Sequence, residues 1–228
     1  MQSVVLLVVV ATTVTVLLRL FVVQPFYVPS ASMEPGLTVN DRIVVEKASY
    51  WFGGEPQRGD LVVFSDPGGW LDEPDADDGG SVHDTLKAMG LLPTGGHLVK
   101  RVIGVGGDTI VCCDDQGRLV INGDPVDESG FIAPQERCDG PMAGCSGWRA
   151  KVPEGRLFVM GDNRDHSADS SFHLCRSGAQ GCDPDAAYVP VDLVVGRVAA
   201  LLWPLDHAHL VHRPTAFDQV SAPSDAAR

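Results

Sequence analysis

Apolar positions fall along the chain in two regimes. From Ser3 to Leu18 they are nearly continuous (SVVLLVVVATTVTVLL), and LFVV follows Arg19, the single charged side chain among residues 1–28. Roughly 20 apolar residues suffice to cross a hydrocarbon core about 30 Å thick. Residues 1–25 therefore read as a transmembrane anchor. Val and Thr are poor helix formers in water, but in lipid every backbone polar group must be paired inside the segment, which favours a helix there. Arg19 is placed to snorkel to the interface, with Phe26 and Tyr27 as interfacial anchors. A cleaved signal peptide is the rival reading; it lacks a basic leading stretch, and its apolar run would be overlong.

After the anchor the apolar runs are short and separated by turn residues, which predicts strands. They are Ile43 to Val45, Leu61 to Phe64, Leu98 to Val105, Thr109 to Val111, Leu119 to Ile121, Leu157 to Met160 and Leu193 to Leu202. Helical periodicity is scarce, apart from a short candidate at Thr85 to Leu92 ended by Pro93. The expected organisation is a mostly β body over residues 26–212, interrupted by an acidic insertion at 66–96 and followed by a disordered tail at 213–228. At 228 residues the chain suits one domain with an appendage.

Charge changes the picture in one place. The chain carries 17 basic and 30 acidic side chains, a net charge of −13, which disfavours a groove tracking nucleic-acid phosphates. Between Asp66 and Asp84, however, there are seven acids and no Lys or Arg, more than half of that net charge. This stretch reads as a solvated loop, since it lacks the ligand spacing and closing Glu of a calcium-binding loop.

Cysteine usage points outside the cytosol. Cys138 with Cys145, and Cys175 with Cys182, each enclose six residues in a loop, as two local disulfides would. Zinc is the weaker alternative, because neither loop has the short ligand spacing it prefers. Adjacent Cys112 and Cys113 would point to opposite faces of a strand, leaving one as core. His207, His209 and His212 read as a solvated cluster rather than a metal site, and no metal or cofactor is expected.

Familiar catalytic and nucleotide motifs are missing: there is no GxSxG, HExxH or Walker A lysine. Gly104, Gly106 and Gly107 look like a phosphate loop, but Asp108 follows where a phosphate would need bare amides, so a turn is expected. Three stretches carry more information together: PSASMEPGL (Pro29 to Leu37), HLVKRVIGVGGD (His97 to Asp108) and MGDNRDHSADS (Met160 to Ser170). With DRIVVEK, RGDLVVF and VVGRVAALLWP around them, the chain resembles, over nearly its whole length, the bacterial type I signal peptidases. These are membrane-bound serine endopeptidases that remove signal sequences from exported proteins.

The resemblance implies a signal-peptidase-like β fold with an N-terminal transmembrane helix, and it assigns roles by position. Ser32 matches the nucleophile and Lys100 the general base. A serine hydroxyl is a weak nucleophile until a base takes its proton, and an ordinary lysine, with a pKa of about 10.4, stays charged at neutral pH. Burial lowers a lysine pKa, and Leu98, Val99, Val102 and Ile103 surround Lys100 in sequence. Ser30 matches the side-chain donor of the oxyanion hole, with the Ser32 amide as the second donor. Ser167 matches the serine that orients the lysine amine; Asp169 and Asp162 match supporting acids, with Arg101 as an ion-pair partner for Asp162. Phe26, Val28, Met33, Leu37 and Val99 would help to line shallow pockets for small residues, as an Ala-x-Ala preference requires.

Three positions depart from the family pattern. Gly36 stands where Thr is usual, Ser171 where Arg is usual (Arg164 or Arg176 being the substitutes), and His166 where Asn is common. The implied partners are exported preproteins, the lipid bilayer and, as a further candidate, the protein-translocation machinery. The implied location is the bacterial cell membrane, single-pass, with the catalytic domain on the extracytoplasmic side. Two other readings stand beside this one. A self-cleaving repressor protease shares the Ser-Lys logic but needs a DNA-binding helix pair where the anchor lies. An inactive membrane-tethered binding domain of the same fold would hold an Ala-x-Ala peptide without cutting it.

Overall fold

A computed structural model of the protein describes residues 2–17, 22–51, 53–71, 96–135, 147–175 and 181–223. Arg19, Arg176, the candidate helix at Thr85 to Leu92 and the Cys138–Cys145 pair lie outside the described residues. The chain opens with an apolar helix, α1 (Gln2–Leu17). At 16 residues it is about 24 Å long. Among the described residues no helix is long and apolar enough to cross a membrane. Val23, expected in the anchor, instead begins strand β1 (Val23–Tyr27). Pro25 cannot continue a helix, and β1 pairs antiparallel with β2 (Arg42–Glu46), which satisfies its backbone.

The body is mostly sheet. Further strands are β3 (Leu61–Ser65), β4 (His97–Gly104), β5 (Thr109–Cys112), β6 (Val120–Ile121), β7 (Asp124–Pro125) and β8 (Trp148–Lys151). After them come β9 (Arg156–Met160), β10 (Val189–Pro190), β11 (Val194–Trp203) and β12 (His209–Leu210). Eight strands form one antiparallel sheet in the order β1-β2-β11-β3-β4-β9-β10, with β12 paired on β11. A smaller sheet runs β7-β6-β5-β8.

Alternation along β3 shows how the main sheet is packed on both faces. Leu61 and Val63 join a cluster with Ile43, Val45, Val198 and Leu201, whereas Val62 and Phe64 join Val102, Leu157 and Val159. The smaller sheet packs through Ile110, Ile121 and Ala150 against Ile103, Phe158 and Met160 of the main one. The glycine-rich segment after β4 is the expected turn. Asp108 is buried there, held by a two-pronged ion pair with Arg58 at 2.7 and 2.5 Å and by the Val105 amide at 2.8 Å.

Three expectations are corrected. The start of the expected insertion is folded: Asp66 accepts from the amides of Gly68, Trp70 and Leu71, and Trp70 is buried, its indole N–H donating to the Ala186 carbonyl. The tail expected to be disordered is packed as far as Pro223: Phe217 is buried, and the Ser221 amide donates to Asp124 at 2.8 Å. Phe217, with Ala216 and Val220 packed on the same cluster, docks it. Cys112 and Cys113 are bonded to each other, because Cys113 lies past the end of β5 and escapes strand alternation. Cys175 and Cys182 form the expected disulfide.

Candidate active site

Ser32 lies in a single turn of 3-10 helix, Ala31–Met33, a short link after the edge strand β1. Two buried apolar side chains, Val28 and Met33, flank it and pin the turn to the cluster containing Val63. A second clamp comes from the segment after β9. The Asn163 amide donates to the Ser32 carbonyl at 3.0 Å, and the Asn163 side-chain amide donates to the Ala31 carbonyl at 3.2 Å. The serine is thus fixed through its own backbone. Its Oγ lies 3.2 Å from Ser30 Oγ.

Lys100 arrives from the middle of β4, opposite Val62 in the β3–β4 ladder. Only 4% of its surface is exposed, and its Nζ donates to Ser32 Oγ at 2.6 Å. Burial pulls its pKa down to about 8, against the opposing pull of Asp169 and Asp162. Near neutrality about a tenth of the amine is therefore free of its third proton and able to accept one from the hydroxyl, far more than for an ordinary lysine.

The two acids are themselves held. Arg101, next along β4, makes a two-pronged bond to Asp162 at 2.7 and 2.6 Å and donates to the Gly59 carbonyl at 2.8 Å. Asp169 Oδ2 accepts from the Ser167 hydroxyl at 2.6 Å and the Gly161 amide at 2.9 Å, while Oδ1 accepts from the Ser171 amide and hydroxyl. Ser167 differs from expectation. Its hydroxyl donates to Asp169 and accepts from Gly161, and no hydrogen bond joins it to Lys100.

The family model described as signal peptidase, peptidase S26, matches residues 1–203. The chain belongs to the signal peptidase family S26. The probable signal peptidase I of Mycobacterium leprae (strain TN) is 40% identical over 204 residues, 81% of this chain and 70% of that protein. The signal peptidase I of Leptolyngbya laminosa is 33% identical over 201 residues, 88% of this chain and 78% of that protein. Among solved structures, a signal peptidase I from Enterococcus faecalis V583 aligns with a TM-score of 0.37 at 22% identity, covering 63% of this chain and 97% of that one.

As a member of this family the chain is a peptidase, and its departures from the usual S26 motifs are locally absorbed. At Gly36 an added Cβ would meet Asp162 Oδ2 and the Met33 carbonyl at 3.8 Å, ordinary contact, so glycine is not imposed by crowding. Ser171 is fully buried and spends both of its donors on Asp169. His166 Nδ1 lies 3.2 Å from Asn163 Oδ1, on the residue that clamps the serine turn. Arg164 is buried against Glu128 and donates to the Gly161 carbonyl at 2.9 Å. The five apolar residues expected to line pockets gather in one place. Val28, Met33 and Leu37 are buried core, and Phe26 and Val99 form the partly exposed margin beside them.

Three contributors escaped sequence reasoning. Glu128 carried no signal, since Asp127-Glu128-Ser129-Gly130 reads as turn chemistry. Asn163 and Gly161 were within the third motif, and a glycine directly after a buried strand is a cue to close backbone approach. A Cβ on Gly161 would lie 2.4 Å from both the Ser32 carbonyl and Ser167 Oγ. Gly161→Ala should therefore displace the serine turn, costing about 1–3 kcal/mol in denaturant unfolding and lowering turnover. Wild-type stability and turnover in that variant would refute the crowding argument.

Proposed function

We propose that the protein is a membrane-tethered serine endopeptidase that removes N-terminal signal peptides from exported preproteins through a Ser32–Lys100 pair. The observation that carries this reading is the 2.6 Å approach of a 4%-exposed lysine amine to a serine hydroxyl on a clamped turn. Neutral Lys100 Nζ takes the Ser32 proton as Oγ attacks the scissile carbonyl carbon. The resulting ammonium then protonates the departing amine, leaving an acyl-enzyme. Water attacks that ester with Lys100 again acting as base, and Ser32 is regenerated. Ser30 Oγ, 3.2 Å from Ser32 Oγ, and the Ser32 amide are the donors for the developing oxyanion. Asp162, Arg101, Asp169 and Ser167 support the pair without touching substrate.

An open stretch of β4 supports an extended substrate. Among the described residues the β9 register on β4 begins at Arg101, and Leu98 to Lys100 are in register with β3 alone. An extended peptide laid on such an edge forms main-chain hydrogen bonds and presents alternate side chains to one face. Phe26 and Val99 stand beside that edge, with the Phe26 ring 5.4 Å from His97. Shallow apolar margins of this kind suit the small residues of an Ala-x-Ala site.

The tether is α1 with the apolar residues that follow it. Val4 to Val10 are each more than half exposed, a fully apolar surface that lipid would cover at no hydration cost. The catalytic domain would then sit on the extracytoplasmic side of a bacterial membrane, where disulfides persist and emerging preproteins reach it, with the translocation machinery as a further partner.

The test is the pH dependence of cleavage of an Ala-x-Ala signal peptide. Since the neutral amine is the active form, kcat/KM should rise about tenfold per pH unit at low pH and level off above about 8. A profile flat from pH 6 to 9 would count against Lys100 as the base.

A further inference from the structure

Past the family match, which ends at residue 203, the described chain continues as a strap from Arg213 to Pro223. The strap crosses the back of the residues that hold the site. Its Phe217 ring packs on Phe131 with centroids 5.8 Å apart, and Phe131 in turn lies under the Arg101 guanidinium, 4.6 Å from its carbon. Arg101 is the residue gripping Asp162. The strap also crowds Gly59, whose carbonyl accepts from Arg101. A Cβ there would meet Arg213 Cγ at 2.6 Å and Phe217 Cδ2 at 2.8 Å. Phe131 belongs to a loop that leans on the same acid, since the Ala133 amide donates to the Asp162 carbonyl at 2.9 Å. Guanidinium, acid and aromatic ring thus form one stack, closed from behind by the strap.

We propose that Phe131 and Phe217 are positioning residues for the peptidase: the strap presses the Phe131 ring onto Arg101 and so keeps Asp162 paired and away from Lys100. This inference rests on the Ser32–Lys100 reading. A cation held over an aromatic face at a desolvated site is attracted to it, and losing that face frees the guanidinium to move. Asp162 and Asp169 are the negative charges that act on Lys100, and Arg101 and Arg164, the latter paired with Glu128, are the positive charges beside those acids. Loosening Arg101 leaves Asp162 less neutralised, which favours the Lys100 ammonium.

The experiment compares pH profiles of kcat/KM for the full chain and for Phe131→Leu, Phe131→Tyr and Phe217→Leu, with the unfolding midpoint of each. In Phe131→Leu the acid limb should move to higher pH by roughly 0.5 to 1 unit, which lowers activity about three- to tenfold at pH 7. Phe217→Leu should move it the same way by less, and Phe131→Tyr, which keeps a ring face, should restore the wild-type limb. A purely structural role would lower the unfolding midpoint and leave the limb in place, and that result in both leucine variants overturns the proposal. If Phe131→Leu fails to fold, the limb of Phe217→Leu decides alone. A wild-type profile with no ionisation in this range overturns the Ser32–Lys100 reading and this inference with it; an intact wild-type limb that no variant moves overturns only the inference.

Discussion

Ser32→Ala and Lys100→Met should each reduce cleavage of an Ala-x-Ala signal peptide by roughly 10³-fold or more, with the folded domain intact. On the proposed mechanism, the first removes the oxygen that would carry the acyl group. The second removes the base while keeping much of the side chain's length, so packing beside Val62 changes little. Its effect on stability has a definite sign. In the folded protein burial lowers the Lys100 pKa to about 8 from its ordinary value of 10.5, so between those values the unfolded chain holds a proton that the folded chain has lost. The Lys100 contribution to stability therefore rises with pH across that window and is most unfavourable below it. Lys100→Met, free of that penalty, should be at least as stable as the wild type at pH 7. Activity near wild type in either variant would sink the mechanism. Loss of activity accompanied by loss of the circular dichroism and thermal transition of the folded domain would also fail the prediction.

Glu128→Ala should be the most damaging of the substitutions that touch no substrate. Arg164 is only 3% exposed and finds its carboxylate partner in Glu128, which is 6% exposed. Removing the acid strands a buried guanidinium, a loss of about 3–5 kcal/mol, or roughly 6–20 °C in melting temperature for a chain of this size. Activity should fall as well, because Arg164 Nε donates to the Gly161 carbonyl and Gly161 abuts the Ser32 carbonyl. The double variant Glu128→Ala/Arg164→Met should recover much of the lost stability, since a buried pair replaced by apolar groups is close to neutral. Equal melting temperatures for the wild type and Glu128→Ala would show that water reaches Arg164 and that the pair is dispensable.

The legibility of this chain followed the length and regularity of its elements. The run around Lys100 predicted β4 to within a residue, and Leu193 to Leu202 predicted β11, because sustained apolar runs between turns have few other outcomes. The two-residue strands β7 and β10 are made by their neighbours and leave no pattern of their own. β1 was hidden for a different reason. Its first residue, Val23, continues the apolar run that follows α1, and Pro25 marks the change. At the site, the order of three motifs brought out Ser32 and Lys100, and the close approach of the two side chains is compatible with that reading. The Ser167 hydroxyl could not be placed from sequence, since Asp169 and Lys100 compete for it and distance alone decides. Glu128 and Phe131 lie about 30 residues before the motif they brace, in ordinary turn wording.

One bond at the mouth of the β3–β4 hairpin bears on how the acidic stretch coexists with the chemistry. The Asp66 amide donates to the Gly96 carbonyl at 2.9 Å, directly beyond the paired Ser65 and His97. The ladder that sets the register of Lys100 is therefore fastened below the point where the acidic residues leave it. Hairpin loops can lengthen at small entropic expense when their ends are already joined. The stretch that gathers seven acids without a single Lys or Arg is thus attached like a tool on a fixed handle, open to being resized or recoded over generations without shifting Lys100.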